Sequence, residues 1–237
     1  MTRAESFVPG SFYHVFNRGV DKRKIFLEEQ DFWRFYILMF LLNDTDYRSQ
    51  GRKTNAIIHD IDGALIKSVG QTGKPLVSIL SFCLLTNHFH LLLRPLMSGG
   101  ISRFMQRLSM AYSKYFNRKY ERSGTLYESE FKAVGVQNEP HFIHIPRYIH
   151  LNALDLTDMN WREGAIENWD KALHFLDQYP WSSHPVFMGE RQRMPVVDPE
   201  LAVNLFDGQN EYVSFIKGWS MRESELLVQH EVLGLVP

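Results

Sequence analysis

The sequence predicts an α+β fold, an antiparallel sheet with helices on one face, and three observations predict it. Short runs rich in β-branched, aromatic or aliphatic residues recur at 11–19, 76–86, 88–95 and 131–137. Longer segments with apolar residues at helical spacing separate them at 28–44 and 99–124. A hydrophobic share of 44% over 237 residues is enough to build a packed core.

"SFYHVFNRG" (11–19) mixes aromatic and β-branched residues and ends in Asn-Arg-Gly, a strand running into a turn. "EEQDFWRFYILMFLLND" (28–44) opens on acidic residues and reads as a helix. Residues 44–76, rich in Asp, Gly, Lys, Ser and Thr, read as a loop insertion. "LVSILSFCLLT" (76–86) and "HFHLLLRP" (88–95) are two strands joined at Thr86-Asn87. "GGISRFMQRLSMAYSKYFNRKYERSG" (99–124) is a long helix between Gly-Gly and Ser-Gly. "FKAVGVQ" (131–137) is a strand. "NEPHFIHIPRYIHLNAL" (138–154) is a helix capped by Asn138 with Pro140 in its first turn, and Pro146 is expected to bend or divide it. Without this last helix the order is a split βαββαβ unit, ferredoxin-like or RRM-like. Residues 1–155 are expected to form the main domain. Residues 156–237, with a turn at "YPWSSHP" (179–185) and a helix near 198–217, form a helical extension packed on it.

Composition narrows the setting. The single cysteine, Cys83, allows no internal disulfide, which fits a reducing cytoplasm. The longest apolar run, "FYILMFLL" (35–42), is too short to span a bilayer, so no membrane partner is expected. Net charge is −1, which does not suit a protein that coats nucleic acid. Its distribution is uneven, however. Residues 94–147 carry nine Lys/Arg against four Glu, a local +5, whereas residues 148–237 carry six against fourteen, a local −8. A basic face on a near-neutral chain can hold phosphate; an ordinary solvated helix face is the plain alternative.

In "TNHFHLLLRP", His88 and His90 are two residues apart on a strand, so both project from one face while Phe89 faces the other. Two converging imidazoles make half of a metal site, or else two hydrogen-bonded sheet residues. A third ligand is available in "RYIHLN", where Tyr148 and Asn152 lie one helical turn apart. Asn152 offers a carbonyl oxygen to a hard cation, and Tyr148 a phenol beside it. Mixed imidazole and amide ligation suits Mg²⁺ or Mn²⁺, with substrate oxygens completing the shell. The plain reading of Tyr148 is a half-buried aromatic with one hydrogen bond.

"TNHFHLLLRP", "SGTLYESEFKAV", "RYIHLNAL" and "YPWSS", taken in order, resemble the single-tyrosine HUH transposases (IS200-like), specifically their REP-associated tyrosine transposase branch. The likeness runs over about residues 10–190, and "DPELAVNLFDGQNEYVSFI" is similar to the family's C-terminal helix. The resemblance implies that His88, His90 and Asn152 ligate the metal and that Tyr148 is the nucleophile. It also implies cleavage and rejoining of single-stranded DNA through a 5′-phosphotyrosine, at hairpin elements. Ala153 stands where the family usually has proline, and Glu128 and Glu130 are acidic where it is often Gln-rich or basic. The 44–76 stretch has no counterpart that the resemblance places.

Candidate DNA contacts are Asn17 and Arg18 at the end of the first strand, Arg94 and Lys132 flanking the site, and Arg103, Arg107 and Arg118 on the basic helix. His144, four residues before Tyr148, is a candidate proton relay or a packing residue. Tyr112, Tyr115 and Tyr120 could stack bases or pack. The expected partner is single-stranded or hairpin DNA, bound by a monomer or homodimer. The alternative is a domesticated, catalytically silent nucleic-acid-binding regulator. A zinc hydrolase fits worse, because no carboxylate follows the histidines at ligand spacing.

Overall fold

The computed structural model describes residues 7–47, 73–136, 139–163, 166–192, 194–198 and 204–218. Most of the 44–76 stretch, and the Asn138 cap, lie outside them. Four strands form one sheet: β1 (Tyr13–Arg18), β2 (Val77–Leu85), β3 (His88–Pro95) and β4 (Lys132–Gly135). Their order is β2-β3-β1-β4, with every neighbouring pair antiparallel. This is the split βαββαβ arrangement that the element order predicts. Thr86 and Asn87 form the two-residue turn between β2 and β3.

Helices α1 (Glu29–Leu41) and α2 (Gly100–Lys119) cover one face. Phe35 of α1 packs on Phe89 at 5.0 Å between ring centres and on Tyr112 of α2 at 5.1 Å. The start of α1 is fixed by Asp31, whose carboxylate accepts from the amides of Leu27 and Glu28 at 2.8 and 3.2 Å. Asp31 is fully buried, and Tyr115, Tyr120 and Lys119 at the end of α2 also donate to it. Burial pushes its carboxyl up, but the hydrogen bonds from Tyr120 and Lys119 reverse the shift and hold it ionised. The tyrosines of the basic helix are therefore spent on packing: Tyr112 donates to Ile25 O at 2.6 Å, and Tyr115 and Tyr120 clamp α1.

The opposite face carries α3 (Glu139–Leu151), which packs on β2 and β3. Pro146 lies within α3 and does not divide it. Beyond α3 the chain makes a tight turn over Asn152–Leu156 and a second over Trp161–Glu163. The "YPWSS" stretch then runs along the outer edge of β2. Leu84 N donates to Trp181 O (2.8 Å), Tyr179 Oη to Leu84 O (2.6 Å) and Phe82 N to Ser183 Oγ (2.8 Å). An edge strand left open would present unpaired amides, and this motif covers them.

The extension contains α4 (Trp169–Gln178), α5 (His184–Phe187) and α6 (Gln209–Lys217). The predicted helix near 198–217 is thus shorter within the described residues, and α4 and α5 are elements that the sequence did not predict. Asn168 caps α4 by accepting from Lys171 N at 2.9 Å. A buried polar chain ties the extension to α3. Ser183 Oγ meets His150 Nε2 (2.7 Å), and His150 Nδ1 meets Tyr212 Oη (2.8 Å). Tyr212 Oη also meets His184 Nδ1 (2.7 Å), whose Nε2 meets Asp177 Oδ1 (2.9 Å). With both imidazoles neutral, each link donates in one direction, from Ser183 to Asp177, and nothing in it is left unmatched. Arg147 completes the joint, donating to Phe215 O at 2.7 Å, with His144 against it at 2.7 Å.

Candidate active site

On β3, His88, His90, Leu92 and Arg94 share the face under α3, while Phe89 points into the helical layer. The register adds Arg18, opposite His88, and Phe16, opposite His90, with Lys132 opposite Phe16 in turn. The rings of His88 and His90 lie 5.0 Å apart, and the ring of Tyr148 lies 5.8 Å from that of His90. The sheet and α3 therefore bring together the two imidazoles and the phenol.

Each imidazole is held through Nδ1. His88 Nδ1 donates to Asn87 Oδ1 at 2.6 Å, and Asn87 Nδ2 donates to Lys22 O at 3.3 Å, which turns the amide oxygen toward the ring. His90 Nδ1 lies 3.0 Å from His14 Nε2. In both rings Nε2 is left buried and without a hydrogen-bond partner. Burial, above all, depresses both: His88 falls to about 4, and His90 goes well below its usual value. Both are neutral at neutral pH, the form that ligates metals.

These rings are not in a surface cleft, where a ligand pair open to substrate would be expected. Relative exposure is 7% for His88, 1% for His90 and 6% for Tyr148, and Asn152 is fully buried. The two Nε2 atoms fit a divalent cation. Asn152 fits it only in part. Its Nδ2 donates back to Tyr148 O (2.6 Å), and its Oδ1 already accepts from Arg162 Nη2 at 2.9 Å. Arg162 is itself paired with Asp155, through Nη2 at 2.6 Å and Nε at 3.2 Å, and Trp161 Nε1 donates to the same carboxylate at 2.7 Å. The amide oxygen is therefore already engaged by Arg162 in this structure.

The remaining candidates divide by face. Arg94 and Lys132 lie on the site's face, Arg94 at 4.0 Å from Asp198 and Lys132 at 6.0 Å from the Phe16 ring. Arg18 is there too, but its guanidinium is paired with Glu128 at 2.7 and 3.3 Å. Asn17 points to the other face, buried, with its amide on Ser129 O at 3.1 Å and on the backbone of Arg18 at 2.9 Å. Arg103, Arg107 and Arg118 belong to α2, across the sheet from the histidines. Arg107 donates to Asp44 O at 2.6 Å and lies over Tyr47. His144 faces α6 rather than Tyr148. Sequence reasoning missed His14, Asn87, Asp155 and Arg162. The alternation of "YHVFNR" could have placed His14 on a sheet face, though nothing local says which neighbour it meets.

Among the described residues no helix is long and apolar enough to cross a membrane. No curated protein matches the chain. One solved structure, described as a REP-associated tyrosine transposase bound to a REP hairpin, aligns at 14% identity over 84% of this chain and 94% of that one, with a TM-score of 0.44. That likeness is too loose to carry an argument. The family model "Transposase IS200 like" matches residues 52–152. Its span opens inside the 44–76 stretch, takes in His88, His90 and Tyr148, and closes on Asn152, so Asp155 and Arg162 lie beyond it. Over residues 52–152, less than half of its length, the chain is similar to the IS200-like transposases.

Proposed function

We propose that the chain cleaves and rejoins single-stranded DNA at hairpin elements by transesterification, as the REP-associated transposases that its motifs resemble do. The observation that carries the reading is the Tyr148 ring set 5.8 Å from His90, beside two buried imidazole Nε2 atoms that have no partner. His88, His90 and Asn152 would hold Mg²⁺ or Mn²⁺, which when bound polarises a phosphate oxygen and spreads its developing charge. Tyr148 Oη bonds to phosphorus as the bond to the 3′-oxygen breaks. The phenol loses its proton and the departing 3′-oxygen gains one. The phosphoester stays on the protein, so rejoining needs no nucleotide cofactor. Asn87 and His14 hold the imidazoles in one tautomer and orientation. Asn152 ties its own turn to the carbonyl of Tyr148, which fixes the nucleophile's helix end.

Arg94 and Lys132 share the site's face and take flanking phosphates. The arginines of α2 contact only DNA that continues around the sheet. One observation favours the silent-regulator alternative: the Asn152 oxygen is already engaged by Arg162. Incubation of the full chain with labelled hairpin-bearing single strands, with Mn²⁺ or with chelator, separates the two. The nuclease reading expects a covalent protein–DNA band with Mn²⁺ alone; binding without any such band supports the regulator.

A further inference from the structure

Among the described residues, Arg162 is the guanidinium that touches the predicted ligand set, and it lies beyond the family model's match and outside the quoted motifs. Its Nη2 donates to Asn152 Oδ1 at 2.9 Å, and its carbon lies 5.9 Å from the centre of the Tyr148 ring. One edge of the guanidinium, Nε and Nη2, is held by the two oxygens of Asp155. Its plane lies over Trp161 at 4.5 Å, and Trp161 is anchored to the same carboxylate. Three contacts therefore fix the orientation of this side chain. Nη1, at the far side, is buried and makes no hydrogen bond. With Nε and Nη2 engaged, Nη1 is the nitrogen left for a charge-assisted hydrogen bond to an anion.

The surroundings fit an anion at that edge. The Asn152 amide and the Tyr148 ring lie beside it, and its paired carboxylate, Asp155, is confined to the Nε–Nη2 edge. At 22% side-chain exposure Arg162 also has more contact with solvent than His88, His90, Tyr148 or Asn152.

We infer that Arg162, positioned by Asp155 and Trp161, binds the phosphodiester that Tyr148 attacks, with Nη1 donating to a non-bridging oxygen. The inference rests on the proposed nuclease reading for the identity of that phosphate.

The test uses the full chain carrying Tyr148→Phe, in chelator, so that neither cleavage nor metal enters. Binding of a fluorescent hairpin-bearing single strand is followed by anisotropy across a salt series, with and without Arg162→Ala. Removal of one charge-assisted hydrogen bond is expected to weaken binding about ten- to a hundred-fold. The log–log salt slope should also shrink by about 0.7, one phosphate's worth on a single strand. Unchanged affinity and slope would overturn the inference. Weaker binding with an unchanged slope would overturn it too, because it marks a packing role. If the Ala variant does not fold, Arg162→Gln, which keeps the stem and an amide donor for Asn152, gives the same readings. The outcome is separate from that of the nuclease reading. A wild-type covalent band with an unresponsive slope sinks only Arg162, and a responsive slope without any band sinks only the nuclease.

Discussion

His14 Nε2 lies 3.0 Å from His90 Nδ1, across the β1–β3 pair. For His90 Nε2 to keep its lone pair, Nδ1 must carry the proton and donate to His14. His14 thereby fixes which nitrogen of His90 is offered. Replacing it by Phe, which conserves ring packing, should lower Mn²⁺ affinity by about 10–100-fold. Calorimetric titration of the full chain reads this directly, and unchanged affinity would remove His14 from the site.

Burial changes what substitution of the histidines costs. His88→Ala opens a cavity and leaves Asn87 Oδ1 without its donor, so it should destabilise the fold by about 1–3 kcal/mol. His88→Gln fills more of the space and should cost less. Urea melts of the two variants check the order. Loss of activity in the Ala variant alone says little about ligation.

The polar chain from Ser183 to Asp177 makes stability fall on the acid side. Burial lowers His150 well below 6.5, and burial lowers His184 as well, against the raising effect of Asp177. Below 6.5 the unfolded chain binds protons that the folded one refuses, so the contribution is full above that pH and is lost as pH falls. Each buried imidazole adds a slope of up to about 1.4 kcal/mol per pH unit. Denaturation midpoints at a series of pH values from about 7.5 downward should decline, and His184→Gln should flatten the decline. A flat wild-type profile would mean that these histidines are protonated in the fold.

The DNA path can be read by strand length. A short single strand covering only the site should lose affinity with Lys132→Ala and not with the combined Arg103→Ala, Arg107→Ala, Arg118→Ala protein. A longer hairpin substrate should respond to both, with a salt slope reduced by about 0.7 for each phosphate that is no longer neutralised. A short strand that responds to the triple change would place the path on the helical face.

Much of the fold was legible because its signals are local. The strands from Tyr13 to Gly135 and helices α1 to α3 follow from periodicity and turn chemistry, which act over a few residues. Helix α4 was missed although Asn168 caps it, because "WDKALHFLDQ" lies in a polar, acidic stretch that reads as an extension. The pairing of His88 with His90 was visible in the two-residue period of a strand. Their partners were not. His14 meets His90 only through strand pairing 76 residues away in sequence, and Arg162 reaches Asn152 only because the chain folds back over Trp161. Nor could the sequence show that Arg103, Arg107 and Arg118 stand across the sheet from the site, since charge counts carry no face.

The central claim is that Tyr148 attacks the phosphate, and Tyr148→Phe tests it most directly. The change removes one oxygen and leaves the ring against His90 and Trp161, so fold and non-covalent DNA binding should persist. Wild-type protein is incubated with labelled hairpin-bearing single strands and Mn²⁺, and any adduct is mapped by peptide mass spectrometry. The account predicts a phosphotyrosine on Tyr148 in the wild type and no adduct in the Phe variant. Adduct that persists at wild-type level in Tyr148→Phe, or that maps to another tyrosine, would contradict it.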